Sequence, residues 1–72
     1  MPDANEIIGY PISIFWSHED EGYIATAKDL PGCSAWGKTR VEAIAEMEDA
    51  MMAWIEASDA MGRERPAPSG ND

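Results

Sequence analysis

The chain has 72 residues, with 14 Asp and Glu against 5 Lys and Arg and 1 His, a formal net charge of -9, and a hydrophobic content of 44%. That length holds one small domain, residues 1–72, and excludes a multi-domain enzyme. One Cys excludes an internal disulfide framework, and neither a membrane-length apolar run nor a charged-then-apolar leader is present, so a soluble cytoplasmic module is expected.

Residues 1–6 read as a frayed N-terminus. From Tyr10 the pattern turns to period two: Tyr10, Ile12, Ile14 and Trp16 alternate with Pro11, Ser13 and Phe15. This predicts a strand with one apolar face, with Phe15 reaching the other. Pro11 lacks an N–H, which places the strand's start there or the strand at a sheet edge. His18-Glu19-Asp20-Glu21-Gly22 reads as a hairpin loop in which Gly22 can take positive φ. The second strand is Tyr23–Lys28. Asp29-Leu30-Pro31-Gly32 is turn chemistry, with Pro pre-setting φ and Gly accepting the positive φ that follows. Cys33–Trp36 is a short third strand ended by Gly37, so the three strands form an antiparallel meander.

Thr39–Met61 is the clearest element. Thr39-Arg40-Val41-Glu42 is a capping box: the Thr oxygen accepts from an orphan N–H and the Glu carboxylate reaches back. Val41, Ile44, Met47, Met51, Trp54, Ser58 and Met61 follow at helical spacing and predict one stripe facing the sheet. Ala43, Ala50 and Ala57 recur every seven residues and permit close approach. Gly62 is a natural stop, and Arg63 and Arg65 lie where cations favour a helix dipole. The tail reads as extended, with a short edge strand expected around Arg65–Pro68, and residues 69–72 read as frayed. The expected fold class is α+β: three antiparallel strands, one long helix and a short fourth strand.

Chemistry-bearing residues are sparse. His18 is a solvated loop histidine without a second His to complete a site. Cys33, at a strand start, reads as a small buried apolar residue. Glu42, Glu46 and Asp49 share a helix face but lack the Glu-x-x-His pattern of carboxylate-bridged metal sites. Glu19-Asp20-Glu21 lacks calcium-loop spacing. No metal site, cofactor or catalytic set is expected, and the chain reads as not an enzyme.

The charge is uneven. Val41–Gly62 contains no Lys or Arg but holds Glu42, Glu46, Glu48, Asp49, Glu56 and Asp59, and Glu19–Glu21 forms a second acidic run. Phosphate backbones are repelled by such surfaces, so direct nucleic-acid binding is not expected. The aromatics Tyr10, Trp16, Tyr23 and Trp36 lie on a sheet of the kind that stacks RNA bases, but without basic surroundings. One helix covers only one sheet face, and the open face predicts association with a partner or self-association as a dimer or tetramer.

The ordered set Gly22-Tyr23, Asp29-Leu30-Pro31-Gly32-Cys33, Gly37-Lys38-Thr39 and Glu42-Ala43 resembles the HicB antitoxin family. The tail Gly62–Pro68 is similar to that family's helix exit, so the resemblance spans Tyr10 to Pro68. It implies a β-β-β-α-β fold, a partial double-stranded-RNA-binding-domain likeness, and an antitoxin that covers the active site of a small basic mRNA-cleaving toxin, HicA. The toxin's positive RNA-binding face suits an acidic partner. Glu19, Asp20, Glu21, Glu46 and Asp49 are the candidate partner-binding residues. The tail shows no helix-turn-helix or ribbon-helix-helix pattern of the sort many HicB proteins carry, so the resemblance is to a short form. The alternative is an orphan HicB-like scaffold that binds RNA or a small ligand through its open sheet face.

Overall fold

A computed structural model describes residues 9–64 and residue 66 of the chain. Among these residues three strands, β1 (Ser13–Ser17), β2 (Gly22–Thr26) and β3 (Ser34–Gly37), precede one helix, α1 (Arg40–Ala60). The strands form an antiparallel sheet in the order β1-β2-β3. The expected α+β meander and helix are therefore present. The fourth strand expected at Arg65–Pro68 lies outside the described residues apart from Pro66, which is not in a strand.

Register follows from the side-chain alternation, because a one-residue slip would turn every apolar residue to the wrong face. β1 pairs Ile14 with Ala25 and Trp16 with Tyr23. β2 in turn pairs Ala25 with Ala35 and Tyr23 with Gly37. These residues face the helix: Ala25 is fully buried, and Ile14, Tyr23 and Ala35 pack against the core. Pro11 and Ile12 precede β1, which is an edge strand among the described residues, so the missing Pro11 N–H takes no bond from the strand itself.

Between β2 and β3 the chain makes two successive turns. Leu30 N–H donates to the Ala27 carbonyl at 3.1 Å, and Cys33 N–H donates to the Leu30 carbonyl at 3.0 Å. The second turn places Pro31 and Gly32 centrally, and Gly32 has φ +80, the left-handed value that a side chain resists. Strand 2 accordingly ends at Thr26, earlier than the expected Lys28, because Ala27 and Leu30 close a turn. The turn drives Leu30 into the core, where it is fully buried with Met47, Met51 and Ile55. Each such side chain contributes about 1.5–3 kcal/mol of apolar burial.

The helix begins and ends as its sequence dictates. Thr39 is the N-cap, its Oγ1 accepting from Glu42 N–H at 3.1 Å. The Glu42 carboxylate reaches back one residue past the cap, accepting from Lys38 N–H at 3.2 Å. At the far end Arg63 N–H donates to the Ser58 carbonyl and Gly62 N–H to the Asp59 carbonyl, both at 3.0 Å. With Gly62 at φ +73, this is a Schellman termination.

The buried row differs from the expected stripe. Ala43, Met47, Met51, Ile55 and Ser58 are buried, with Ala50 and Trp54 packed beside them. Val41 is 77% exposed, and Ile44 and Met61 are also exposed. The reason lies at the helix start, where β3 and α1 touch through backbone: a Cβ on Gly37 would lie 2.3 Å from Ala43 N. That contact turns Ala43 toward the sheet and leaves Val41 and Ile44 outside the buried row. Ala57, third of the heptad alanines, is exposed. α1 lies chiefly over β3, less over β2 and least over β1.

Candidate partner-binding surface

The hairpin joining β1 to β2 is held by its own side chains. Ser17 Oγ donates to Asp20 Oδ2 at 2.7 Å and accepts from Asp20 N–H at 3.3 Å. The positive φ that reverses the chain falls on Glu21, at 51°, rather than on Gly22 as expected. Gly22 is needed for a different reason. The Trp36 indole lies across it, and a Cβ there would come within 2.4 Å of Trp36 Nε1. Trp36 Nε1 also donates to the Asp20 carbonyl at 3.2 Å. The indole is thereby fixed flat on the sheet at the foot of the acidic loop.

The face turned away from the helix is built in three rows. Phe15 pairs with Ile24 and Ile24 with Trp36, a single apolar row across all three strands. On one side Ser13, Thr26 and Ser34 form a polar row. On the other lie Ser17 and Gly22, and beyond them the loop bearing exposed Glu19, Asp20 and Glu21. Phe15 is 50% and Trp36 42% exposed. The strand segments 13–17, 22–26 and 34–37 contain no Lys or Arg.

The four sheet aromatics singled out from the sequence do not form one platform. Trp16 and Tyr23 lie on the helix side and meet edge to face at 5.3 Å between centroids. Arg40 stacks its guanidinium 4.9 Å from the Tyr23 ring centre. Tyr10 is buried, and its hydroxyl donates to the Pro66 carbonyl. Only Trp36 faces outward, joined by Phe15 and Ile24. That row was not assembled from the sequence, although counting alternation outward from the hairpin would have aligned Phe15 with Ile24.

The five candidate partner residues separate into two groups. Glu19, Asp20 and Glu21 sit together on the hairpin, and the Trp36 contact joins that loop to the open face. Glu46 and Asp49 are exposed on α1, which covers the opposite face of the sheet. His18 is exposed in the hairpin. Cys33 is buried, and burial pushes its thiol pKa up, the opposite of an activated nucleophile. Among the described residues no group of His, Cys, Asp and Glu gathers to hold a metal ion. Every buried side-chain nitrogen or oxygen there has a hydrogen-bond partner, so none awaits an interior ligand. A shallow groove of about 270 Å³ lies between Pro31, Trp54, Ala57, Ser58, Met61 and Arg63. Its indole N–H is already committed to the Pro31 carbonyl. No helix among the described residues is long and apolar enough to cross a membrane.

Comparison with known protein families matches residues 10–72 to the HicB_like antitoxin of bacterial toxin-antitoxin system. The chain belongs to the HicB-like antitoxin family. The match spans the sheet, the helix and the tail. No curated protein matches the chain. Membership in the HicB-like family explains the local sequence physically. The Leu30-Pro31-Gly32-Cys33 turn seats a core residue, Gly37 admits the helix, and Thr39 with Glu42 starts it. These are scaffold roles, and they leave the binding surface to be read from the faces of the fold.

Proposed function

We propose that this HicB-like protein neutralises a small basic mRNA-cleaving toxin of the HicA type by covering the toxin's RNA-binding face. The observation that carries the reading is the family match over residues 10–72 in a chain of net charge -9. A ribonuclease must present cations to RNA, and an acidic protein of complementary shape competes for them. This chain's part is binding: the proposed pair's chemistry belongs to the toxin, and no cofactor enters. The accompanying fold reading is β-β-β-α-β, with a partial double-stranded-RNA-binding-domain likeness. The hydrogen bond from Tyr10 to Pro66, bringing the end of the described chain back to the β1 side, supports it. A cytoplasmic location accords with a toxin whose target is mRNA.

Co-expression with the protein encoded by the adjacent reading frame tests the reading. Growth rescue of cells carrying that toxin, with co-purification of a stable complex, is the expected outcome. Absence of both toxicity and complex would leave the alternative, an orphan scaffold that binds RNA or a small ligand.

Self-association as a dimer or tetramer accompanies this reading. The core is small, and Val41, Ile44 and Met61 add exposed apolar surface on the helix. Sedimentation at tens of micromolar, a range roughly suited to such mass-action equilibria, checks it; a strictly monomeric profile refutes it.

A further inference from the structure

We infer that the open sheet face, centred on Phe15, Ile24 and Trp36 and rimmed by Glu19, Asp20 and Glu21, is the surface that receives the basic partner, and that the helix carboxylates Glu46 and Asp49 stand outside that interface. The inference rests on the antitoxin reading and goes beyond it by choosing between two acidic surfaces.

Three features of the face support the choice. First, its apolar content is organised. Paired register sets Phe15, Ile24 and Trp36 side by side across the full width of the sheet. Interface energy concentrates in a few aromatic anchors surrounded by a polar rim, and Trp ranks high among them. Second, the main anchor is preorganised. Trp36 lies on Gly22 and is held by the Asp20 carbonyl at 3.2 Å, so docking on its exposed side loses little side-chain freedom. Third, the same hydrogen bond joins the anchor to the three-carboxylate loop. An incoming protein that buries its own apolar residue on Trp36 brings its neighbouring Lys and Arg side chains to Glu19–Glu21. The outer surface of α1 has the carboxylates Glu46 and Asp49, but its large exposed apolar side chains, Val41, Ile44 and Met61, lie at its two ends.

Charge selects the occupant. Aromatic sheets that stack RNA bases draw the phosphates with Lys and Arg, and the strands here have none. A second copy would bring another chain of net charge -9 against the same rim and leave the carboxylates uncompensated. A basic protein satisfies both the apolar row and the rim.

The test uses the full chain and the purified product of the adjacent reading frame, with affinity measured by calorimetry at two salt concentrations. Trp36→Ala and Phe15→Ser are each expected to weaken the complex, Trp36→Ala by about 30-fold, the size of a hot-spot loss. Glu19→Gln with Glu21→Gln is expected to weaken affinity about tenfold at low salt, with the difference shrinking at high salt. Glu46→Gln with Asp49→Asn is expected to leave affinity within about twofold. Circular dichroism melts confirm folding, and Phe15→Ser reports on the face independently if Trp36→Ala loosens the hairpin.

A wild-type complex unaffected by Trp36→Ala and Phe15→Ser, or one weakened only by the helix pair, overturns the surface assignment and leaves the antitoxin reading intact. No wild-type complex at all overturns both. Salt-dependent binding of a labelled single-stranded RNA that Trp36→Ala abolishes would transfer the face to RNA. A wild-type dimer that Phe15→Ser dissociates would transfer it to a second copy. Either result overturns the assignment.

Discussion

Trp54 on the helix donates its indole N–H to the carbonyl of Pro31 at 3.0 Å, tying α1 to the turn between β2 and β3. The contact spans 23 residues of sequence and closes over the segment that carries fully buried Leu30. Trp54→Phe keeps most of the ring's packing and removes this hydrogen bond. Because Pro31 is exposed, water can solvate the freed carbonyl, and the expected loss is about 1 kcal/mol. Trp54→Ala removes the packing as well and is expected to lose about 2–3 kcal/mol, below the cost of a fully buried aromatic. Urea midpoints of the two variants check the order; equal losses would show that the hydrogen bond carries the whole contact.

Gly22 and Gly37 are both closed to a side chain, but the groups that close them differ. At Gly22 the obstacle is the partly exposed Trp36 indole, which can swing away. At Gly37 it is backbone of the helix, 2.3 Å from the position of Cβ at Ala43 N and 2.7 Å at Ala43 Cα. Gly37→Ala must therefore displace α1 from β3 and is expected to cost about 3 kcal/mol or more, at the severe end of overpacking. Gly22→Ala is expected to cost about 1 kcal/mol, chiefly the Trp36–Asp20 hydrogen bond. Chemical denaturation ranks them, and red-shifted tryptophan emission in Gly22→Ala reports release of the indole.

The helix ends make a separable pair. Thr39→Ala removes the acceptor for Glu42 N–H and is expected to lose about 1 kcal/mol. Gly62→Ala forces a side chain into φ +73 and is expected to lose about 1–2 kcal/mol. The two sites lie at opposite ends of a 21-residue helix, so the double variant's loss should equal the sum within about 0.5 kcal/mol. A clear excess would mean that fraying from one end reaches the other.

What was legible in the sequence was what local chemistry determines. Thr39 and Gly62 bracket the helix because cap residues act on their immediate neighbours. Pro31-Gly32 makes its turn for the same reason. The strand order followed from the short links. Less legible was whatever depends on one element's placement against another. Val41 and Ile44 fit a helical stripe by spacing, yet the tertiary contact of Gly37 with Ala43 turns them away from the sheet. Gly22 follows an acidic loop and so suggests a positive-φ residue, yet its actual constraint is an indole 14 residues further along the chain. The hairpin carboxylates were identifiable as a charge run, but their connection to an apolar row appears only when β3 is paired to β2.

Tyr10 and Cys33 give the fold an alkaline limit. Burial raises the Tyr10 pKa, with the negative charge of Asp29 adding to the effect, and burial alone raises that of Cys33. Both groups are neutral when protonated, so each holds its proton more tightly in the folded chain than in the unfolded one. Their contribution is fully present below the unfolded pKa values, 9.0 for Cys and 10.0 for Tyr, and is lost as pH rises through the higher folded values. Stability is therefore expected to fall from about pH 9 upward, first through Cys33 and then through Tyr10. Cys33→Ala should remove the earlier part of the decline. Tyr10→Phe should remove the later part, while losing the hydrogen bond to Pro66 at every pH. Urea midpoints measured from pH 7 to pH 11 separate these terms: a wild-type curve flat across that range, or one that both variants leave unchanged in shape, would show that neither group is buried as described. Iodoacetamide offers an independent check, since Cys33 should react slowly in the native chain and quickly in urea.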